Sequence, residues 1–418
     1  MTSLFFLWAI GVNLNDILIP HMKKAFGLSD FRSSLIQSAF FGGYFIAALP
    51  AGWLIQRTGY KKGILFGLLV CATGAFLFIP AASERVYAFF LLALFIMACG
   101  QSCLEVAANP YVTLLGPAGS SERRLNLAQS FNAVGAVITP ILGTAFILSG
   151  IEHRKSDLEV MSSEQLMAYR MSEANMVKIP YLVITGIFLA VAVLIHFSNL
   201  PEVRPSKDAE RRNAPTSLKE IWSWTHFVQG VLAQFFYVGA QVGVASFVIR
   251  FAQFSIPGIR EKAAAQFLQM HMLGFMIGRF TGSAIMRHIP APNLLRLFSS
   301  SSMLCLIVAV STTGRVPVWA VVLIGFFHSI MFPTIFALSL KNLGPYTKLG
   351  SSLLVMSIIG GAIFPAIMGL ISDATTIQYA FAVPFLCHGF VLYFALRGYR
   401  PVIKAQTVGV PVPSGELQ

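Results

Sequence analysis

The chain has 418 residues, of which 56% are hydrophobic and only 11% charged, with a mean hydropathy of +0.72. That balance excludes a soluble globular protein of this length, which carries about a quarter of its residues as charges. The net charge of +13 does not point to nucleic acid, because the cations are scattered over short loops and form no basic domain.

Apolar stretches of about 17–26 residues recur along the chain. They suit helices crossing a roughly 30 Å hydrocarbon core, not the short alternating strands of a barrel. Twelve such stretches predict an all-α membrane protein. The first, Leu4–Pro20, carries Asn13, Asn15 and Asp16 inside its apolar run. A carboxylate at a membrane helix centre costs roughly 2.5–3.5 kcal/mol on insertion scales, so Asp16 is a functional candidate. The run opens within three residues of Met1, which leaves no separate signal peptide and suggests a truncated start. Helix two, about 33–55, ends in Gly52, Gln56, Arg57, Gly59, Lys61 and Lys62. This turn resembles the loop between helices two and three of major facilitator transporters, except that Gln56 stands where that superfamily commonly has Asp. Its glycines permit close helix approach and its cations suit a helix C-terminus.

Helix four, about 87–112, stacks Gln101, Glu105 and Asn109 on one face, at i, i+4 and i+8. Helix five, about 125–149, does the same with Asn126, Gln129 and Asn132. In lipid, such stripes must face protein or a water-filled cavity. The outer loop near 151–178 holds a short surface helix around Glu164–Glu173. Helix six, about 179–198, leads into the most hydrophilic stretch, Pro201–Lys219, which divides the apolar segments six and six. The expected organisation is an N-terminal six-helix half over 1–198, a cytoplasmic linker over 199–225, a C-terminal half over 226–400 and a disordered tail over 401–418.

In the second half, helix seven, about 226–252, bears Gln234, Tyr237 and Gln241 on one face, and helix eight bears Gln266, Gln269, His271 and Arg279. Helix ten ends at Pro333, followed by Leu343-Gly344-Pro345 and then Gly360 and Pro365. The first half has the same marks in the same order: Pro110, Leu115-Gly116-Pro117, Gly135 and Pro140. The offset is 228 residues at Gly116 and 225 at Pro140, which supports two related halves in a parallel repeat. With the N-terminus cytoplasmic, the inner loops and tail hold 17 Lys and Arg against 12 outside, favouring both termini inside. Cys71, Cys99, Cys103, Cys305 and Cys387 all lie in apolar segments and read as small core residues.

The polar stripes of helices one, four, five and seven predict a central cavity between the halves, lined mostly by amides and phenol with two acids. Amides pair with sugar hydroxyls as donor and acceptor without demanding a charged substrate. Trp8, Phe131 and Tyr237 offer flat faces for the C–H side of a pyranose. The competing reading of Asp16 and Glu105 is hydrogen-bonded helix glue, and each Asn or Gln is as much interhelical glue as ligand contact. His271 reads as a satisfied packing residue, and Arg279 as a snorkelling side chain or a loop brace. No Ser/His/Asp, metal-ligand or nucleotide constellation marks an enzyme, and no cofactor is implied beyond a proton.

Four runs then carry a family resemblance: Asn13-Leu14-Asn15-Asp16-Ile17-Leu18-Ile19-Pro20, Cys103-Leu104-Glu105-Val106-Ala107-Ala108-Asn109-Pro110, Arg124-Leu125-Asn126-Leu127-Ala128-Gln129-Ser130-Phe131-Asn132 and Pro333-Thr334-Ile335-Phe336. With Tyr237-Val238-Gly239-Ala240-Gln241 and Lys341-Asn342-Leu343-Gly344, they resemble the fucose–galactose–glucose symporter branch of the major facilitator superfamily. The resemblance implies twelve helices, alternating access and proton coupling at Asp16 and Glu105. It places Gln129 and Asn132 among the sugar-side amides. The expected sugar contacts are Asn13, Glu105, Asn109, Gln129, Asn132, Tyr237 and Gln241. Ala245 and Phe332 stand where fucose-transporting members carry Trp and Tyr. The function implied is proton-coupled uptake of a neutral monosaccharide, L-fucose first, by a monomer in the bacterial inner membrane. The alternatives are a glucose/galactose symporter of the same branch and a sugar sensor that does not translocate.

Overall fold

Inside a bilayer every backbone polar group must be satisfied within the protein, and this chain does so with helices. The computed structural model describes residues 2–26, 30–146, 160–201 and 218–401. The N-terminal half contains α1 (Thr2–Phe26), α2 (Asp30–Thr58), α3 (Tyr60–Glu84), α4 (Tyr87–Leu114), α5 (Ser121–Phe146) and α6 (Lys178–Phe197). The C-terminal half contains α7 (Thr225–Ser255), α8 (Glu261–Ile285), α9 (Ala291–Ser311), α10 (Arg315–His328 and Met331–Leu340), α11 (Thr347–Met356 and Gly360–Ala374) and α12 (Ile377–Ala380 and Ala382–Tyr393). Among the described residues, nine helical stretches are long and apolar enough to cross a membrane on their own. Helices α1, α5 and α8 complete the twelve. Large apolar side chains such as Trp53, Phe66, Phe76, Leu297, Leu370 and Leu386 point outward, as lipid-facing residues should.

Helix α1 runs six residues beyond Pro20, where the sequence reading stopped it. The expected surface helix is present as Ser163–Asn175, opened by a capping box in which Ser162 and Gln165 satisfy each other's backbone N–H. The core of the linker, 202–217, and the tail, 402–418, lie outside the described residues, as does the side chain of Asp16.

In the N-terminal half α3 packs closely on α4, and α1 on α5. Small residues make this possible: a Cβ on Gly100 would lie 2.5 Å from the Cys71 backbone nitrogen and 2.8 Å from the Gly67 carbonyl. In the C-terminal half α7 lies against α10, α11 and α12.

The two prolines that mark the repeat have a structural consequence. A proline inside a helix has no N–H for the carbonyl four residues earlier. Pro110 therefore frees the Val106 carbonyl, and Ser351 Oγ donates to it at 2.9 Å from the opposite half. Pro333 frees the Ser329 carbonyl, and Arg279 Nε donates to it at 3.0 Å. Beside it α10 is interrupted between His328 and Met331, and it then continues to Leu340, beyond Pro333, where the sequence reading ended it. The His328 carbonyl there accepts from the Tyr237 hydroxyl at 2.7 Å. Helix α11 is likewise broken, by a tight turn over Ser357–Ile359.

The halves are tied together at the end bearing the α2–α3, α4–α5, α8–α9 and α10–α11 turns. Lys341 Nζ pairs with Glu122 Oε1 at 3.1 Å, and Lys348 Nζ donates to the Ile55 carbonyl at 3.1 Å near the end of α2. Asn126 Nδ2 donates to Thr334 Oγ1 at 3.1 Å. Of the cations at the α2–α3 turn, Arg57 lies in the last turn of α2 itself, as expected, while Lys61 Nζ donates to the carbonyls of His196 and Ser198, both at 2.8 Å, where α6 ends.

Candidate functional site

Spacing on α4 and α5 sets the site. Gln101, Glu105 and Asn109 point the same way from α4 and are all buried, Glu105 at 3% exposure. From α5, Asn126 and Gln129 are buried and Asn132 is half-buried. Side chains from the two helices join in one chain of hydrogen bonds. Asn109 Nδ2 donates to Glu105 Oε1 at 3.3 Å, and Gln129 Nε2 donates to Asn109 Oδ1 at 2.9 Å. Arg279 Nη1 then donates to Gln129 Oε1 at 2.8 Å and to the Gln129 carbonyl at 2.6 Å. An acid of the N-terminal half is thereby connected to a cation of the C-terminal half.

Arg279 corrects the sequence reading. It does not snorkel: it is 4% exposed, its guanidinium lies 4.6 Å above the Phe275 ring, and it braces the Ser329 carbonyl in the break of α10 as well as reaching Gln129. A cation inside an apolar helix was itself the signal, since intramembrane charges pair with protein and mark functional pathways. Tyr44 is a residue the sequence reading did not single out. It lies within electrostatic reach of Glu105, and its hydroxyl accepts from Trp8 Nε1 at 3.0 Å. Trp8 thus spends its polar edge on protein, and its ring is 4% exposed.

Other expected site residues fall elsewhere. Asn13 is half-buried and donates to Ala9 of its own helix at 2.7 Å. Asn132 donates to the Phe5 carbonyl on α1 at 3.3 Å. Tyr237 is fully buried, with its hydroxyl committed to the His328 carbonyl, so it braces the broken helix. Gln241, one turn further along α7, is half-buried. Of the aromatic candidates, Phe131 keeps an open face at 38% exposure, edge-on to Phe280 across the halves. Among the described residues neither amide atom of Gln101 has a hydrogen-bond partner, although the side chain is fully buried beside Gly11.

The C-terminal half also hides an imidazole group that the sequence reading saw only in part. His328 and His388 stack with Nε2 atoms 2.9 Å apart, and His388 Nδ1 contacts the Pro384 carbonyl at 2.6 Å. His271 is buried with Nδ1 on the Val321 carbonyl at 3.0 Å, the packing role expected for it.

The sequence profile of the Major Facilitator Superfamily matches residues 1–357. The chain belongs to that superfamily. The L-fucose-proton symporter of Escherichia coli (strain K12) is 45% identical over 399 residues, covering 94% of this chain and 91% of the relative. A glucose/galactose transporter of Brucella abortus biovar 1 (strain 9-941) is 42% identical over 401 residues, covering 96% and 93%. The crystal structure of the major facilitator transporter FucP in its outward conformation matches with a TM-score of 0.87 at 45% identity, covering 94% of this chain and 96% of that one. The chain is therefore a twelve-helix transporter fold of two six-helix halves, as its hydropathy and repeat had suggested.

Proposed function

We propose that this protein takes up a neutral monosaccharide together with a proton, L-fucose first, by alternating access across the bacterial inner membrane. The observation that carries the reading is the Glu105–Asn109–Gln129 chain: an ionisable carboxyl buried at the meeting of the halves, continuous with amides suited to sugar hydroxyls. Its relatives' names, a proton symporter for L-fucose and a transporter of glucose and galactose, support the same substrate class.

Asp16 and Glu105 exchange the coupling proton, and Asn109, Gln129 and Asn132 contribute to sugar recognition with Asn13, Tyr237 and Gln241 around them. Tyr237 acts there through the bend in α10. The halves comprise 1–198 and 226–400, joined by 199–225 and followed by the tail 401–418. Both termini are cytoplasmic, which makes the tied end the inner one and the arrangement outward-facing. The working unit is a monomer in lipid that needs no cofactor besides the proton.

A glucose/galactose preference is the second reading, favoured by Ala245 and Phe332. The deciding experiment is uptake of labelled L-fucose, D-galactose, L-arabinose and D-glucose into proteoliposomes under an imposed proton or sodium gradient. L-Fucose accumulation driven by protons is expected. Binding of sugar without accumulation under either gradient would refute the transporter reading in favour of a sensor.

A further inference from the structure

We propose that Arg279 is a positioning residue for proton coupling: it fixes the direction of the amide chain so that a donor faces Glu105, making the bridge between the halves sensitive to that carboxyl's proton. The inference rests on the proton-symport reading above.

The direction follows from the donor inventory. Arginine has N–H donors and no acceptor, so Gln129 must present its oxygen to Arg279. Its amide nitrogen is then turned to Asn109, which must offer its own oxygen there. The Asn109 nitrogen is left for Glu105. Flipping any one amide would set two donors or two acceptors face to face. Arg279 is held in place independently of Gln129, because its Nε fills the socket that Pro333 opens at the Ser329 carbonyl.

A carboxylate accepts the final N–H in a charge-assisted bond, whereas a protonated carboxyl accepts more weakly and carries an O–H for which this chain offers no acceptor. At 3.3 Å that last bond is the longest of the chain. Protonation of Glu105 weakens the acceptor end while Arg279 still fixes the direction, so the protonated state gains most when Gln129 leaves Arg279 and the amides are free to turn. By linkage, separating Gln129 from Arg279 favours proton uptake at Glu105.

The surrounding groups leave Arg279 this role. Tyr44 on α2 is bonded by Trp8, and Tyr237 on α7 is spent on the His328 carbonyl. His271 on α8 is engaged with Val321, and His328 on α10 with His388. Cys71 on α3 donates to the Met97 carbonyl and Cys103 on α4 to that of Gly63. From α11, Ser351 is bonded to Val106. On α1, the side chain of Asp16 lies outside the described residues.

The test is L-fucose binding to the full-length protein across pH, read by tryptophan fluorescence, with proton-driven uptake measured in parallel. R279Q, which can present either donor or acceptor, is expected to move the midpoint of the pH dependence upward by roughly one unit, the worth of one hydrogen bond to a charged group. R279K keeps a donor-only cation and is expected to hold the wild-type midpoint. Q129M breaks the chain without touching a charge and is expected to shift the midpoint in the same direction as R279Q, so the proposal stays testable if R279Q does not fold. In an E105Q background neither change should move any midpoint. Weaker binding by the same factor at every pH in R279Q and Q129M, or a shift that persists in E105Q, would overturn the proposal while leaving proton symport intact. Wild-type uptake indifferent to a proton gradient would instead sink the symport reading, and this inference with it.

Discussion

Gly52 tests whether the tied end of the molecule governs the transport cycle. It sits near the end of α2 facing α11, and a Cβ there would overlap Ser352 Oγ and lie 3.1 Å from Ser352 Cβ and 3.3 Å from the Lys348 carbonyl. Ser352 cannot simply turn away, because its hydroxyl is bonded to that same carbonyl at 3.2 Å. Gly52→Ala therefore forces α2 and α11 apart or breaks that bond. Overpacking of this kind costs about 1–3 kcal/mol. The cost falls only on the state in which the two helices meet, so the equilibrium between closed and open arrangements of this end moves by roughly 5–150-fold. Spin labels on exposed positions of α2 and α11, read by pulsed electron resonance distances, should show a longer-distance population growing in Gly52→Ala. Adding Ser352→Gly removes the obstructing side chain and should restore the wild-type distribution. A well-folded Gly52→Ala protein with unchanged distances and unchanged uptake would refute the argument.

The remaining predictions concern coupling and selectivity. Asp16→Asn removes a membrane carboxyl while keeping its shape, and should abolish concentrative uptake under a proton gradient while counterflow of sugar persists. Accumulation equal to wild type would deny Asp16 its coupling role. Ala245→Trp combined with Phe332→Tyr adds an aromatic face on α7 and a hydroxyl on α10, at a half-buried and a 9% exposed position respectively. Preference should move toward L-fucose by roughly tenfold, within the 1–3 kcal/mol that small pocket changes command. An unchanged rank order of L-fucose, D-galactose, L-arabinose and D-glucose in competition would place both residues outside the sugar site.

Hydropathy made the helices legible because lipid leaves a spanning chain few other options. The 3.6-residue period also placed Gln101, Glu105 and Asn109 on one buried face. Periodicity names a face but not its neighbour. Nothing in the α5 sequence says that Gln129 meets Arg279 across 150 residues, or that Tyr237 turns its hydroxyl to a backbone carbonyl. Arg279 reaches Gln129 from the Ser329 carbonyl that Pro333 frees on α10, and the periodicity of α5 carries no trace of that helix.

The proline pair also explains why contacts between the halves can be both specific and reversible. The Val106 and Ser329 carbonyls are unsatisfied by their own helices, so each always needs a donor. In this arrangement Val106 receives one from Ser351 of the other half, and Ser329 from Arg279, which itself reaches into the other half. Water can replace a side-chain donor at nearly equal enthalpy, so separating the halves exchanges the Val106 partner at small net cost. A neutral bond of this type contributes only about 0.5–1.5 kcal/mol in net terms. Interhelical sockets of that size hold one conformation without trapping it. The larger bias must then come from groups whose bonding changes during the cycle, and along this interface Glu105, at the acceptor end of the amide chain, is positioned to supply it.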